Sequence, residues 1–274
     1  MMYSRRSHLR LLSGAITAPA FSVLAAQSSI KTDTDADKER FLSSAKIISA
    51  EEIGHGVTKP LKAKLVLQGL EHAAQIQTVD KELSDFFPKE GKPVPMKDCW
   101  RFNVAAYKID RLLDMKMVAV TVARPYRGKP AAMTWWVDNV MFEEVERVKR
   151  DLTAPDPEDF ERQREISRVF DELIINIDRN LGNLLITKSW KIALIDHTRS
   201  FTPYSGIRNE ENLTRCSRGL LAQLKALTHG RVTAAVGPHL TKEEVTALLG
   251  RRDRIVAFFE KAVKEKGDDK ILFS

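Results

Sequence analysis

Residues 169–201 read VFDELIINIDRNLGNLLITKSWKIALIDHTRSF, and this segment decides how the rest of the chain is understood. It places an aspartate at Asp178, an asparagine five positions on at Asn183, and a second aspartate at Asp196, where an apolar run closes before His197. Upstream, Ile166, Val169, Phe170, Leu173, Ile174 and Ile177 recur at three- and four-residue spacings, which predicts a helix over Glu161 to Ile177. Asn176 to Gly182 is rich in Asn, Asp and Gly and reads as a loop. Leu184 to Ile186 and Lys191 to Ile195 are short apolar runs around Lys188 and Ser189, the pattern of a hairpin. A hairpin brings Asn183 and Asp196 together at its open end, where one cation can touch both.

Those residue types suit phosphoryl transfer. That chemistry needs a carboxylate beside the attacking hydroxyl and oxygen ligands that hold Mg²⁺ on nucleotide phosphates. Asp178 fits the first role, and Asn183 and Asp196 the metal roles. Each alone is an ordinary loop or turn former; the succession of helix, loop, hairpin and terminal aspartate is what points to a site.

The composition permits a large core, with 43% hydrophobic residues in 274 positions, enough for one large domain or two lobes. Lys and Arg number 44 against 37 Asp and Glu, and no basic stripe with interleaved aromatics stands out, so an anionic small ligand is favoured over nucleic acid. Cys99 and Cys216 make no metal pattern. Residues 1–30 resemble an export signal. Arg5, Arg6 and Arg10, in a twin-arginine-like or Sec-type arrangement, precede an apolar run from Leu11 to Ala26 that is too short for a stable membrane span. Exported or periplasmic localisation is therefore expected, with a basic cytoplasmic arm as the alternative. Residues 31–39 are polar and read as a linker.

From Arg40 the chain alternates. Gly54-His55-Gly56 lies between strand-like runs, and close glycines let backbone N–H groups approach phosphate. Leu61 to Leu67 alternates, with Lys62 and Lys64 on one face, and His72 to Val79 forms another strand. Lys97 to Leu113 is an amphipathic helix; Met117 to Ala123 and Ala131 to Val137 are further strands. Trp136 and Val137 then stand where an adenine ring is covered by apolar side chains, before a polar, helical stretch from Asp138 to Arg150. Two amphipathic helices follow Phe201, the second starting at Thr241 with Glu243 and Glu244 in its first turn. Arg199, Arg215 and Arg218 are basic residues able to face the site and help bind phosphate, with solvated surface charges as the alternative.

In this order the chain resembles the protein-kinase-like fold. The likeness is carried by NIDRNLGN and LIDHTRSF and supported by GHGVTK, NVAAYKIDRLL and TWWV. It is greatest to the atypical branch of phosphatidylinositol 3/4-kinases, HipA toxin kinases and Fam20-type secretory-pathway kinases, with bacterial uncharacterised proteins among them. The resemblance implies an α+β, two-lobed fold, with an antiparallel-sheet N-lobe carrying one helix over residues 40–137 and a mainly helical C-lobe over residues 138–274. It implies a phosphotransferase using ATP with Mg (or Mn), acting on a protein, lipid head group or sugar. Asp178 would be the catalytic-loop aspartate, and Asn183 and Asp196 the metal ligands; His197 replaces the usual aromatic.

Two departures qualify this. The family's third-strand lysine aligns with Gln77, and its helix glutamate with Asn103, so neither supplies charge to phosphate. Lys59, Lys62 or Lys64 from the glycine-turn strand would have to substitute. The alternative is a catalytically weak or inactive pseudokinase that binds a nucleotide or a partner. A third reading, an exported protein capturing an anionic solute, requires two similar lobes with parallel sheets.

Overall fold

The computed structural model describes residues 31–54, 59–88 and 91–274. The export-like residues 1–30 and Gly56 of the glycine turn therefore lie outside the described residues. No helix among the described residues is long and apolar enough to cross a membrane.

Residues 31–39 are not a free linker. Thr34 caps a helix, α1 (Asp35–Ser44), and Asp37 completes a capping box with it. Phe41 and Leu42 on this helix are fully buried. The polar run hides the signal because its threonine and aspartate serve the helix end, while the apolar face begins only at Phe41.

The strands β1 (Lys46–Glu52), β2 (Leu61–Leu67), β3 (Leu70–Gln77), β6 (Thr121–Ala123) and β7 (Ala132–Trp135) form one sheet in the order β1-β2-β3-β7-β6. Every pair in it is antiparallel. The register sends Ala63, Ala74, Ile76 and Met133 to one face, where they are buried beneath α1 and α2 (Trp100–Leu112). Lys62, Gln75, Gln77 and Thr134 occupy the opposite face. Between β3 and α2 runs an outlying hairpin, β4 (Asp80–Phe86) with β5 (Val94–Cys99), which delivers Asp98 and Cys99 to the start of α2. Its largely exposed side chains gave the sequence little apolar alternation to read.

The expected helix from Asp138 to Arg150 is a strand followed by a short helix. Val140 and Phe142 alternate with exposed Met141 and Glu143 in β8 (Val140–Glu143), and only α3 (Glu144–Lys149) is helical. Phe142 packs edge-on against Trp190, which fixes β8 to the hairpin β9 (Leu184–Thr187) and β10 (Ile192–Leu194) as a three-stranded antiparallel sheet. Before it runs α4 (Pro157–Ile174), capped by Asp156 with Pro157 in its first turn. After it come α5 (Arg218–Ala226), α6 (His229–Val236) and α7 (Lys242–Lys266), the last opened by the expected Thr241–Glu244 capping box. Cys99 and Cys216 are buried free thiols. The result is a two-lobed α+β fold: an antiparallel sheet with its helices, then a mainly helical half.

The halves meet beside β10. Leu194 donates its N–H to Met117 O and accepts from Ala119 N, so the segment leading into β6 lies along β10, two residues before Asp196.

Candidate active site

Helix α4 is capped at its C-terminus by Ile175, whose left-handed backbone (φ 48°) turns the chain into the Asp178 loop. Asn176 shapes that loop: its Oδ1 accepts the Asp178 N–H at 3.1 Å. Arg179 then holds the loop to the hairpin. Its guanidinium bonds both carboxylate oxygens of Asp171 and donates to the carbonyls of Asn183 and Ile195, each at 2.9 Å. The Ile195 N–H reaches Asn183 O at 3.2 Å, and Asn183 Nδ2 donates to Asp178 O at 3.2 Å. Asp178, Asn183 and the residue before Asp196 are thereby joined through one network.

Asp196 has a left-handed backbone (φ 51°), unusual for a non-glycine residue, and its Oδ1 accepts the Thr198 hydroxyl at 3.0 Å. Its pKa is pushed up, first by burial and then by the negative charges of Asp98 and Asp178. Three carboxylates thus gather at one place. Arg199 is the cation between them: Nε donates to Asp98 Oδ2 at 2.9 Å and Nη1 lies 3.2 Å from Asp178 Oδ2. The other oxygen of Asp98 is buried without a hydrogen-bond partner.

This donor set suits a hard divalent cation. Asp178, Asn183 and Asp196 offer oxygens only, and one guanidinium leaves the three carboxylates with surplus negative charge. Among the described residues no three Asp, Glu, His or Cys side chains stand ready to hold a metal by themselves, so an ion here also needs oxygens from water or phosphate.

Asp98 and Arg179 were not singled out by the sequence, and Arg199 only as one of three arginines able to face a site. The other two turn elsewhere: Arg215 lies over Phe273, and Arg218 pairs with Asp268 and Asp269. The signal available for Arg199 was its position three residues after Asp196, on the same loop.

The nucleotide-side candidates sit on the sheet. Gln77 ends β3, buried, with Oε1 accepting the N–H groups of Thr78 and Val79. Val79 O then accepts Trp100 N–H, and the adjacent Cys99 N–H donates to Thr198 O, which brings the end of β3 to the Asp196 segment. Asn103 is committed to that same segment through the His197 N–H. Lys64 pairs with Glu71 across the β2–β3 turn at 2.7 Å. Trp136 donates its backbone N–H to Ala73 O, and its ring lies beneath the Lys62 ammonium, 4.1 Å from the ring centroid; Val137 follows, part-buried. A Cβ at Gly54 would meet nothing within 4 Å.

Against solved structures, the chain is similar to hydra Fam20, solved with sugar, with a TM-score of 0.62 at 16% identity over 88% of this chain and 93% of that one. The fold is kinase-like. A Golgi casein kinase with Mn and ADP bound is also similar, with a TM-score of 0.57 at 12% identity over 87% of this chain and 78% of the other. No family model and no curated protein sequence matches the chain. At these identities the likeness establishes the atypical kinase-like fold.

Proposed function

We propose that this chain is an atypical kinase-like phosphotransferase that uses a divalent-metal nucleotide. The observation that supports this reading is the hydrogen bonding of Asn183 to Asp178 and to Ile195, the residue before Asp196, at the end of the β9–β10 hairpin, with the carboxylates of Asp98 and Asp178 around Arg199. Asn183 and Asp196 would hold Mg²⁺ or Mn²⁺, which neutralises phosphate charge during transfer. Asp178, oriented by its contact with Arg199 and by Asn176, aligns the acceptor hydroxyl and receives its proton. The turn carrying Gly54 and Gly56 would cover the phosphates, and Trp136 with Val137 the base. The acceptor belongs to a protein, a lipid head group or a sugar.

The test is transfer or hydrolysis of labelled ATP by purified protein with Mg²⁺ or Mn²⁺. Asp196→Ala and Asp178→Asn should each lower turnover by about a hundredfold or more; undiminished activity in both variants would end this reading.

A second reading has its own observation. Gln77 is neutral and its carbonyl oxygen is engaged by two backbone N–H groups, so no third-strand cation meets phosphate. A nucleotide- or partner-binding module without turnover is the outcome if ADP binds and no phosphate is transferred. We also read residues 1–30 as an export signal and place the lobe boundary near Asp138. Cell fractionation with a C-terminal tag tests the first, since retention of the uncut chain in the cytoplasm would refute it. Limited proteolysis tests the second.

A further inference from the structure

Phosphate binding needs positive charge, and the usual source is absent. Gln77 is neutral, and the lysines in a position to replace it have other contacts: Lys59 lies 3.8 Å from Glu52, Lys64 pairs with Glu71, and Lys62 covers Trp136. Arg199 differs from all of these. It stands among the site's carboxylates, with its side chain 26% exposed. Two of its nitrogens are used, one on Asp98 and one on Asp178, and Nη2 has no hydrogen bond among the described residues.

The surroundings are built to hold it. Asp98 is 2% exposed, and its charge has Arg199 as its ion-pair partner. A guanidinium and a carboxylate at full satisfaction share two parallel bonds. Here the pair makes one, which holds the guanidinium through Nε and leaves Nη2 to donate to an incoming acceptor; Asp98 Oδ1, buried without a partner, keeps its negative charge directed at Arg199. The backbone on both sides is fixed by Cys99 N–H to Thr198 O at 2.8 Å, which keeps the two side chains in register.

We propose that Arg199, held from behind by Asp98, is the cation that meets the phosphates of the bound nucleotide in this chain, replacing the charge that Gln77 lacks. The proposal rests on the phosphotransferase reading. Because Arg199 also touches Asp178, it places its charge where the transferred phosphoryl and the acceptor hydroxyl would meet. Its planar fork suits phosphate oxygens as a lysine's point charge does not. Asp98 is a positioning residue, acting through Arg199.

Calorimetric titration with ADP and with adenosine, both with Mn²⁺, tests this on the purified protein and on Arg199→Gln, Arg199→Lys, Asp98→Asn and the Asp98→Asn/Arg199→Gln double variant. Arg199→Gln should weaken ADP by about tenfold to a hundredfold and leave adenosine unchanged, because only the phosphates lose a charge-assisted bond. Arg199→Lys should recover part of the loss, which also guards against misfolding as the cause. Asp98→Asn should weaken ADP less and add nothing in the double variant; an additive loss would overturn its positioning role. Wild-type protein that binds ADP, with Arg199→Gln binding equally well, overturns the proposal and leaves the phosphotransferase reading standing. Wild-type protein that binds neither ligand overturns both.

Discussion

The side-chain oxygen of Asn103 accepts the backbone N–H of His197 at 2.7 Å, joining the first turn of α2 to the residue after Asp196. Cys99 N–H to Thr198 O and Arg199 to Asp98 continue the seam, so three successive residues of the 197–199 segment are fixed to the start of one helix. In this arrangement α2 cannot swing away without exposing or orphaning buried polar groups. The helix position that the kinase resemblance aligns with a lysine-pairing glutamate holds the loop after Asp196 instead.

Asn103→Leu keeps the volume and removes the acceptor. The His197 N–H is then buried without a partner, which should cost about 1–3 kcal/mol. Urea denaturation measures it, and a loss below about 0.5 kcal/mol would mean that the seam adds nothing to stability.

Arg179→Met should be severe. It leaves the carbonyl of Ile195 without a donor, the carbonyl of Asn183 with only the Ile195 N–H, and the carboxylate of Asp171 without its cation and with only Asn176 Nδ2, at a cost of about 3 kcal/mol. In a double-mutant cycle with Asp171→Asn the two losses should be strongly non-additive; simple additivity would mean that the pair does not act as a unit.

Arg251 is fully buried on α7 and props the same region from behind, donating to the carbonyls of Leu173, Thr202 and Tyr204. Arg251→Met leaves the carbonyls of Leu173 and Tyr204 to find new donors and that of Thr202 with only the Tyr204 N–H, so a drop of about 3 kcal/mol in unfolding free energy is expected, again read in urea. A variant as stable as the parent would show that apolar filling suffices there.

His197 makes stability sensitive to acid. Burial, with help from Arg179, holds its pKa well below the ordinary 6.5, so the imidazole is neutral in the fold. Below about pH 6.5 the unfolded chain takes up a proton that the folded chain refuses, and stability falls by up to about 1.4 kcal/mol per pH unit. Its Nε2 has no partner, and Phe170 already packs edge-on against the ring, so a phenyl group fits the site. His197→Phe should therefore gain on the parent as pH falls from 7.5 to 5, since every other titrating group is shared. A constant difference across that range would contradict the prediction.

Much of the backbone that carries the candidate site is legible in the sequence. The helix, loop and hairpin around Asp178, Asn183 and Asp196 follow from spacing, because a hairpin's partners are neighbours in sequence and its turn fixes their pairing. The linker misreading over residues 31–39 had a local cause. A capping box was present in Thr34 and Asp37, but the apolar face it introduces is short. Strand β8 was hidden in the same way, since four residues of alternation cannot outweigh the polar helix pattern that follows them.

The amino-acid order by itself determined the antiparallel sheet, the helical second half and the hairpin that brings Asn183 to Ile195, next to Asp196, all products of periodicity and short turns. Only the tertiary structure decided that Asp98 and Arg199, 101 positions apart, would share a bond, and that Asn103 would serve His197 across 94. A buried carboxylate or amide takes whichever partner packing brings within reach, and no spacing rule encodes that choice.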